Sequence, residues 1–282
     1  MNEANHTVKE IVLAAGLLAV TAQAGVPLNN LQGSGGVAFN PLAYTAGTVS
    51  EGERGGLGEW VSKPQVGVWM VNLDDADINW YAASAAFSIA KRVELSYGYG
   101  FIDARNVDGS INTHNLGAKL KLLDENYGDT VWVPAVAVGG VYKYTDTEVV
   151  DALGTDHDGF DAYLVATKLI TQTPVPVLLS AGVLESDEVV NGVLGHGDYD
   201  TVFFGNADVL PAENVALGAE YKQGVDAGHG IRNSDYWEGH VAWFVTGQLT
   251  LVAAYADTGD ETKGASDLGV GGGLVLSAQY AF

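Results

Sequence analysis

The feature that most limits what this chain can fold into is a two-residue rhythm that returns repeatedly after residue 65. At the C-terminus, Leu274, Leu276, Ala278, Tyr280 and Phe282 fall on one side of an extended chain. Gly273, Val275, Ser277, Gln279 and Ala281 fall on the other. Successive side chains of a strand point to opposite faces, so the segment has one apolar face and one small or polar face. Val93, Leu95, Tyr97, Tyr99 and Phe101 repeat the pattern, as do Leu116, Ala118, Leu120 and Leu122, then Val215, Leu217, Ala219 and Tyr221. Helical spacing fits none of these.

About twelve such segments follow one another, each long enough for a tilted strand to cross a bilayer, which takes roughly 9–11 residues. They lie near 66–73, 77–89, 92–103, 111–122, 130–144, 159–171, 175–184, 200–210, 214–223, 236–246, 248–257 and 271–282. Their connections alternate in length. Those at Ala90-Lys91, Asp124 to Asp129, Gln172 to Pro174, Pro211 to Glu213 and Gly247 are short, whereas 104–110, 145–158, 185–199, 224–235 and 258–270 are long. Short turns at one end and long loops at the other are the mark of a transmembrane barrel. A soluble sandwich also alternates, but the small face here lacks the bulk to fill a sandwich core. Aromatics also gather toward segment ends (Trp132, Tyr142, Tyr221, Trp237, Trp243 and Tyr255 among them), where interfacial girdles sit. The expected fold is all-β: a transmembrane antiparallel up-and-down β-barrel over 65–282, with short periplasmic turns and longer extracellular loops.

Composition narrows the function classes. The formal net charge of −22 repels nucleic acid, and the absence of cysteine removes disulfides, thiolate metal sites and a cysteine nucleophile. Residues 11–20 form an apolar run too short for a membrane helix. It ends in the small-x-small pattern Ala22-Gln23-Ala24, which reads as a cleaved signal peptide over 1–24 despite an n-region where Glu3 and Glu10 offset Lys9. Export without a helical anchor leaves the periplasm, the outer membrane or the medium, and with a transmembrane barrel the expected location is the outer membrane of a Gram-negative bacterium.

A terminal strand ending in Phe282, behind a signal peptide, resembles that of bacterial outer-membrane β-barrel proteins. The resemblance implies that the barrel-assembly machinery reads this strand, and that lipid and lipopolysaccharide surround the barrel. Gly25-Val26-Pro27-Leu28-Asn29-Asn30-Leu31, the stretch Gly36 to Tyr44 and the ending Gly271 to Phe282 are similar to a proteobacterial family of unknown function. That similarity implies location and fold, not mechanism.

Residues 25–64 do not alternate. They are rich in Gly, Asn and Pro, and Pro41 disfavours a central strand, so the segment either folds into the lumen as a plug or stays periplasmic or at an edge. Phe39, Asn40, Pro41 and Tyr44 are the plug candidates. The Asn40-Pro41-Leu42-Ala43 stretch resembles the Asn-Pro-Ala of the hatch in long-chain fatty-acid transporters, with Leu42 inserted and in a smaller barrel.

With the apolar face outward, Glu94, Lys119, Lys121 and Lys168 face inward near the periplasmic end, and Lys143, Glu220, Lys222, Glu238 and His240 toward the outside. They either line a pore and set its selectivity or neutralise one another and close it. His157, His196 and His229 sit beside Gly and Asp in three long loops, a conceivable nitrogen–carboxylate ligand set if those loops converge. Ordinary loop composition accounts for them as well, and no metal or other cofactor is expected. No Gly-x-Ser-x-Gly elbow or His-Glu-x-x-His motif is present, and no enzyme is expected. The leading expectation is a narrow passive, porin-like channel for small solutes through a lumen lined by Gly, Ala, Ser and scattered charges. The alternatives are a hydrophobic-compound transporter with an N-terminal hatch and a non-transport structural or partner-docking barrel. The sequence does not specify the oligomeric state.

Overall fold

The computed structural model describes residues 28–47, 60–104, 109–146, 150–151, 154–190, 193–195, 197–226, 232–259 and 269–282. The expected signal peptide lies outside them. The strands are β1 (Gln65–Leu73), β2 (Ile78–Ile89), β3 (Val93–Ala104), β4 (Ser110–Leu123), β5 (Ala135–Asp146), β6 (Asp158–Ile170) and β7 (Val177–Ser186). After them come β8 (Glu188–Val190), β9 (Val193–Leu194), β10 (Asp200–Ala212), β11 (Val215–Lys222), β12 (Tyr236–Phe244), β13 (Leu249–Asp257) and β14 (Gly272–Ala281). All but β8 and β9 form one closed antiparallel barrel, in which each strand pairs with its sequence neighbour and β1 closes on β14 from Gln65↔Ala281 to Leu73↔Gly273. This is the twelve-stranded barrel that the alternation predicts.

Burial follows the two-residue rhythm. Along β12, Tyr236, Glu238, His240 and Ala242 are buried while Trp237, Gly239, Val241 and Trp243 are exposed. The outer surface therefore carries large apolar side chains, with Leu116 and Phe203 each 62% exposed. Such a belt is stable only against lipid, and closure of the sheet leaves no barrel strand with an unpaired edge in the membrane. Among the described residues no helix is long and apolar enough to cross a membrane.

The β2–β3 connection shows how the short turns form. Ala90 and Lys91 both have positive φ (52° and 56°), as a type I′ hairpin requires, and the Arg92 amide donates to the Ile89 carbonyl at 3.0 Å. Two connections depart from expectation. The strand expected from residue 130 begins at Ala135, because Thr130 to Pro134 continue a turn. That turn holds the Val133 amide on the Thr130 carbonyl and the Asn126 amide on the Val133 carbonyl, both at 3.0 Å, and Pro134 has no amide to give a ladder. Trp132 is thus an exposed turn residue, not a strand residue. The 185–199 connection also carries the β8–β9 hairpin, which alternation did not reveal.

Residues 28–47 lie inside the barrel. Leu31, Ala38 and Phe39 pack on Trp69, Val71, Trp80 and Ile102 of the inner wall, and Ala43 packs in a second cluster with Val141, Tyr163, Leu184 and Phe204. The inner face is therefore bulkier and more apolar than a lining of Gly, Ala and Ser, because it packs against chain instead of water. At Gly33 and Gly98 the two backbones meet directly: a Cβ on Gly98 would stand 2.5 Å from the Gln32 carbonyl oxygen.

Placing Leu116→Arg in mid-β4 tests the lipid-facing assignment. An Arg near the bilayer midplane costs about 2–4 kcal/mol. Guanidinium unfolding from lipid vesicles is expected to show a loss of that order, and a change within about 0.5 kcal/mol, as for an ordinary surface substitution, would contradict a membrane-facing β4.

Candidate functional site

Both ends of the segment 28–47 lie at the short-turn end, where Asn29 and Gly47 meet Gln65; between them Gln32 reaches Glu188, Gly35 comes back to Glu94, and Ala38 to Asn40 reach Glu220. At its entry Asn29 is held between β1 and β14: its amide donates to Gln279 Oε1, its carbonyl accepts from Trp69 Nε1 at 3.0 Å, and its Oδ1 accepts from Gln65 Nε2 at 2.6 Å. The segment folds on itself through the Leu31 amide to the Ala38 carbonyl at 2.9 Å and through the Asn29↔Gly35 and Gly36↔Pro41 bridges.

Two inward carboxylates anchor this fold. Glu94 of β3 accepts from the Gly35 amide at 2.9 Å and the Ala46 amide at 2.6 Å, and pairs with Lys119 of β4 at 3.1 Å. The same ammonium donates to the Gly35 and Tyr44 carbonyls at 2.9 and 2.8 Å, so one buried ion pair clamps both limbs of the segment. Higher up, Glu220 of β11 accepts from three consecutive amides, those of Ala38, Phe39 and Asn40, at 3.0, 2.8 and 3.4 Å. Successive amides converging on one carboxylate form an anion-binding nest.

Each sequence-predicted plug residue has a defined place. Phe39 packs near the Tyr236 ring, with centroids 6.1 Å apart. The Asn40 amide group donates to the Gly205 and Tyr221 carbonyls at 3.2 and 3.1 Å, and Pro41 borders a small cavity. The Tyr44 hydroxyl donates to Glu125 Oε2 at 3.0 Å; burial, and then the Glu125 carboxylate, push its phenol pKa well above the ordinary value, so it stays a donor.

Apart from Glu220, the inward charges fall into four groups. Glu94 and Lys119 form the clamp. Lys143 lies between Asp161, at 2.5 Å, and Glu188, and Lys222 also reaches Glu188. His240 sits between Glu238 Oε1, at 2.6 Å from Nδ1, and Asp208 Oδ1, at 2.7 Å from Nε2, an arrangement that calls for a ring donating from both nitrogens. Lys168 and Lys121 stand near the short-turn rim. Lys168 donates to Glu125 and Asn126 of the β4–β5 turn at 3.0 and 2.6 Å. Lys121 pairs with Asp124 at 2.8 Å; partial burial opposes ionisation there, but Lys121 and Arg92 outweigh it and hold the Asp124 carboxyl below its ordinary pKa.

The partner residues Asp161, Asp208, Glu125 and Glu188 are additional to the inward-facing residues that the sequence predicts. Asp161 and Asp208 share the inward parity of β6 and β10 and were findable from the alternation. Glu125 and Glu188 lie in a turn and a loop hairpin, where no periodicity marks them.

His157 donates through Nδ1 to the Thr145 carbonyl at 2.8 Å and through Nε2 to Asp151 at 3.0 Å, contacts that raise its pKa in that order. His196 and His229 lie outside the described residues, and among those residues no group of three or more His, Cys, Asp or Glu could hold a metal ion.

No functionally curated protein matches the sequence. Among solved structures, the NanC porin superposes with a TM-score of 0.50 at 8% identity, covering 78% of this chain and 100% of its own. Omp33 of Acinetobacter baumannii gives 0.44 at 12% identity over 79% of this chain and 98% of its own. An outer-membrane channel of Pseudomonas putida F1 gives 0.46 at 11% identity over 79% and 96%. At such identity the NanC match speaks for the shared barrel fold alone. A family model described as a protein of unknown function (DUF3034) matches residues 25–270, which takes in both the lumenal segment and most of the barrel.

Removing the nest acceptor is expected to loosen the segment without unfolding the barrel. Hydrogen bonds to a charged group are each worth about 1.5–3 kcal/mol. In a Leu42→Cys background, adding Glu220→Ala is expected to speed maleimide labelling of the thiol at least about tenfold, the factor that 1.4 kcal/mol represents. Unchanged labelling would mean that Glu220 does not hold the segment.

Proposed function

The chain belongs to the DUF3034 family of unknown function, and from that premise we propose that it is an outer-membrane transport barrel whose N-terminal segment is a hatch. The short turns face the periplasm and the long loops the exterior, and solute passes when 28–47 leaves its place. The observation that carries this reading is the clamping of a lumenal segment by Glu94 and Glu220 through backbone amides instead of through a core of its own. Backbone amides are groups that water can replace, so the hatch is released when the lumen wets. Among the described residues, 28–47 packs on the inner wall in two apolar clusters and a cavity beside it has room for roughly one water (about 20 Å³), which supports a closed lumen over a permanently open passive pore. The apolar wall at Trp69 and Trp80 favours solutes with an apolar part.

A non-enzymatic role is part of the proposal. The three described histidines, His114, His157 and His240, bond to the Tyr97 phenol, to a carbonyl and to carboxylates, not to a serine or threonine hydroxyl that they could activate.

The absence of native cysteine makes the hatch directly testable. The Ala43 amide lies 2.9 Å from Thr167 Oγ1, so an Ala43→Cys, Thr167→Cys pair can tie the segment to β6. In planar bilayers the oxidised pair is expected to be electrically silent, reduction to restore wild-type gating, and deletion of 28–47 to give sustained conductance. A deletion variant that inserts yet stays silent would overturn the hatch.

A further inference from the structure

One carboxylate in the lumen does not belong to the barrel wall. Glu188 opens β8, within the connection from β7 to β10, and this loop folds inward so that Glu188 and Asp187 are buried. The Glu188 backbone is fixed by its amide donating to Ser186 Oγ at 3.2 Å and by Asn233 Nδ2 donating to its carbonyl at 2.7 Å. Its carboxylate reaches two ammonium groups from opposite sides of the charged wall, Lys143 of β5 and Lys222 of β11, and accepts from Gln32 of the hatch at 3.1 Å. Lys143 is fully buried and Lys222 is 3% exposed.

Beside Lys222 lies a small cavity, with Lys143 one ion pair away through Asp161. Lys222 and Asp161 are its charged lining, and Val141, Tyr163, Leu184 and Phe204 its larger wall side chains. The remaining boundary is hatch: Asn30, Gln32, Ser34, Phe39, Asn40 and Pro41. Withdrawal of the hatch therefore enlarges this cavity and uncovers the Lys222 ammonium, with Asp161 beside it, next to apolar side chains. Lys143 and Lys222 are held by Asp161, Glu188 and the buried Asp187 near Lys143, so a solute carboxylate binds by taking the place of Glu188 between the two ammonium groups.

We propose that Lys143 and Lys222 form the binding site for a solute carboxylate attached to an apolar body, and that Glu188 fills this site as an internal stand-in while the lumen is closed. The apolar body lies on Val141, Leu184 and Phe204, where Phe39 and Pro41 stand in the closed state. Two point-charge ammonium groups suit a carboxylate head, and Val141, Leu184 and Phe204 offer no hydrogen bond to a solute's body. This assignment rests on the hatch reading, since the cavity admits a solute only after 28–47 moves.

The test is uptake into proteoliposomes holding the full chain, with 4-phenylbutyrate, its uncharged amide and acetate as probes. Saturable uptake of 4-phenylbutyrate is expected at least about tenfold above the amide and above acetate. Glu188→Gln removes the competing charge and is expected to raise that uptake severalfold. Lys222→Met combined with Glu188→Gln keeps the lumen balanced, guarding against misfolding, and is expected to bring acid and amide to equal rates. Equal rates for acid and amide in the unaltered chain, or a preference that survives the double substitution, would overturn the assignment. If deletion of 28–47 opens conductance but no acid preference exists, the hatch stands and this site falls. If the deletion is silent, the hatch falls. Titration calorimetry of 4-phenylbutyrate against the detergent-solubilised Glu188→Gln chain lacking 28–47, whose site is uncovered, then decides the site alone: saturable heat supports it and none refutes it.

Discussion

A charge inside a closed lumen must find a partner, and the structure depends on how that demand is met. Glu94, Lys119, Lys143, Glu220 and Glu238 are all nearly inaccessible to solvent. An uncompensated ion in such a place costs several kcal/mol, and breaking a buried pair costs about 3–5 kcal/mol. The barrel strands supply only part of the compensation. Glu94 has Lys119, but its other partners are amides of the lumenal segment, and Glu220 accepts from three of them. The wall is therefore electrostatically incomplete without residues 28–47. That makes the segment part of the folded state, and the proposed hatch role rests on amides being groups that water can replace.

Barrel geometry sets the same problem in space. An eight-stranded barrel is filled by its own inward side chains and a sixteen-stranded one leaves an aqueous channel. Twelve strands fall between, with an interior too wide for wall side chains alone. Trp69, Trp80 and Phe204 reach inward, and Leu31, Phe39 and Ala43 of the segment complete the packing. Glycines admit the backbone where side chains would obstruct it, as at Gly98 against Gln32 and Gly33. Apolar and charged inward residues share strands, as Val141 and Lys143 do on β5 and Asp161 and Tyr163 on β6, so the lumen sets charge beside apolar surface. The same juxtaposition underlies the preference proposed for solutes with an apolar body and a charged head.

Much of the barrel was legible in the sequence because lipid and lumen impose opposite chemistry on alternate residues. The β3 alternation of Val93 to Phe101 and the β12 run around Glu238 and His240 could be read directly, and their faces lie as read. Legibility failed where period two stops. Thr130 to Pro134 look extended, yet the proline and the local turn bonds hold them out of the sheet. The site was legible by halves. Alternation places Glu94, Lys119, Lys143, Glu220 and Lys222 inside, but pairing depends on register between strands and on Glu188, which a loop carries inward for reasons no local pattern encodes. Trp69 and Trp80 were missed as lumen residues because large aromatics suggest lipid; they face inward because another stretch of chain covers them. For 28–47, composition allowed both a lumenal and a periplasmic position, and only long-range partners distinguish the two.

The central claim is that residues 28–47 are held in the lumen by backbone amides bound to Glu94 and Glu220. Hydrogen–deuterium exchange of the full chain in lipid vesicles reads those amides one by one. The amides of Gly35, Ala38, Phe39 and Ala46 are predicted to exchange on the slow timescale of the β3 and β11 ladder amides. Exchange of these four at the rate of an unstructured peptide, with the ladder still protected, would contradict the account.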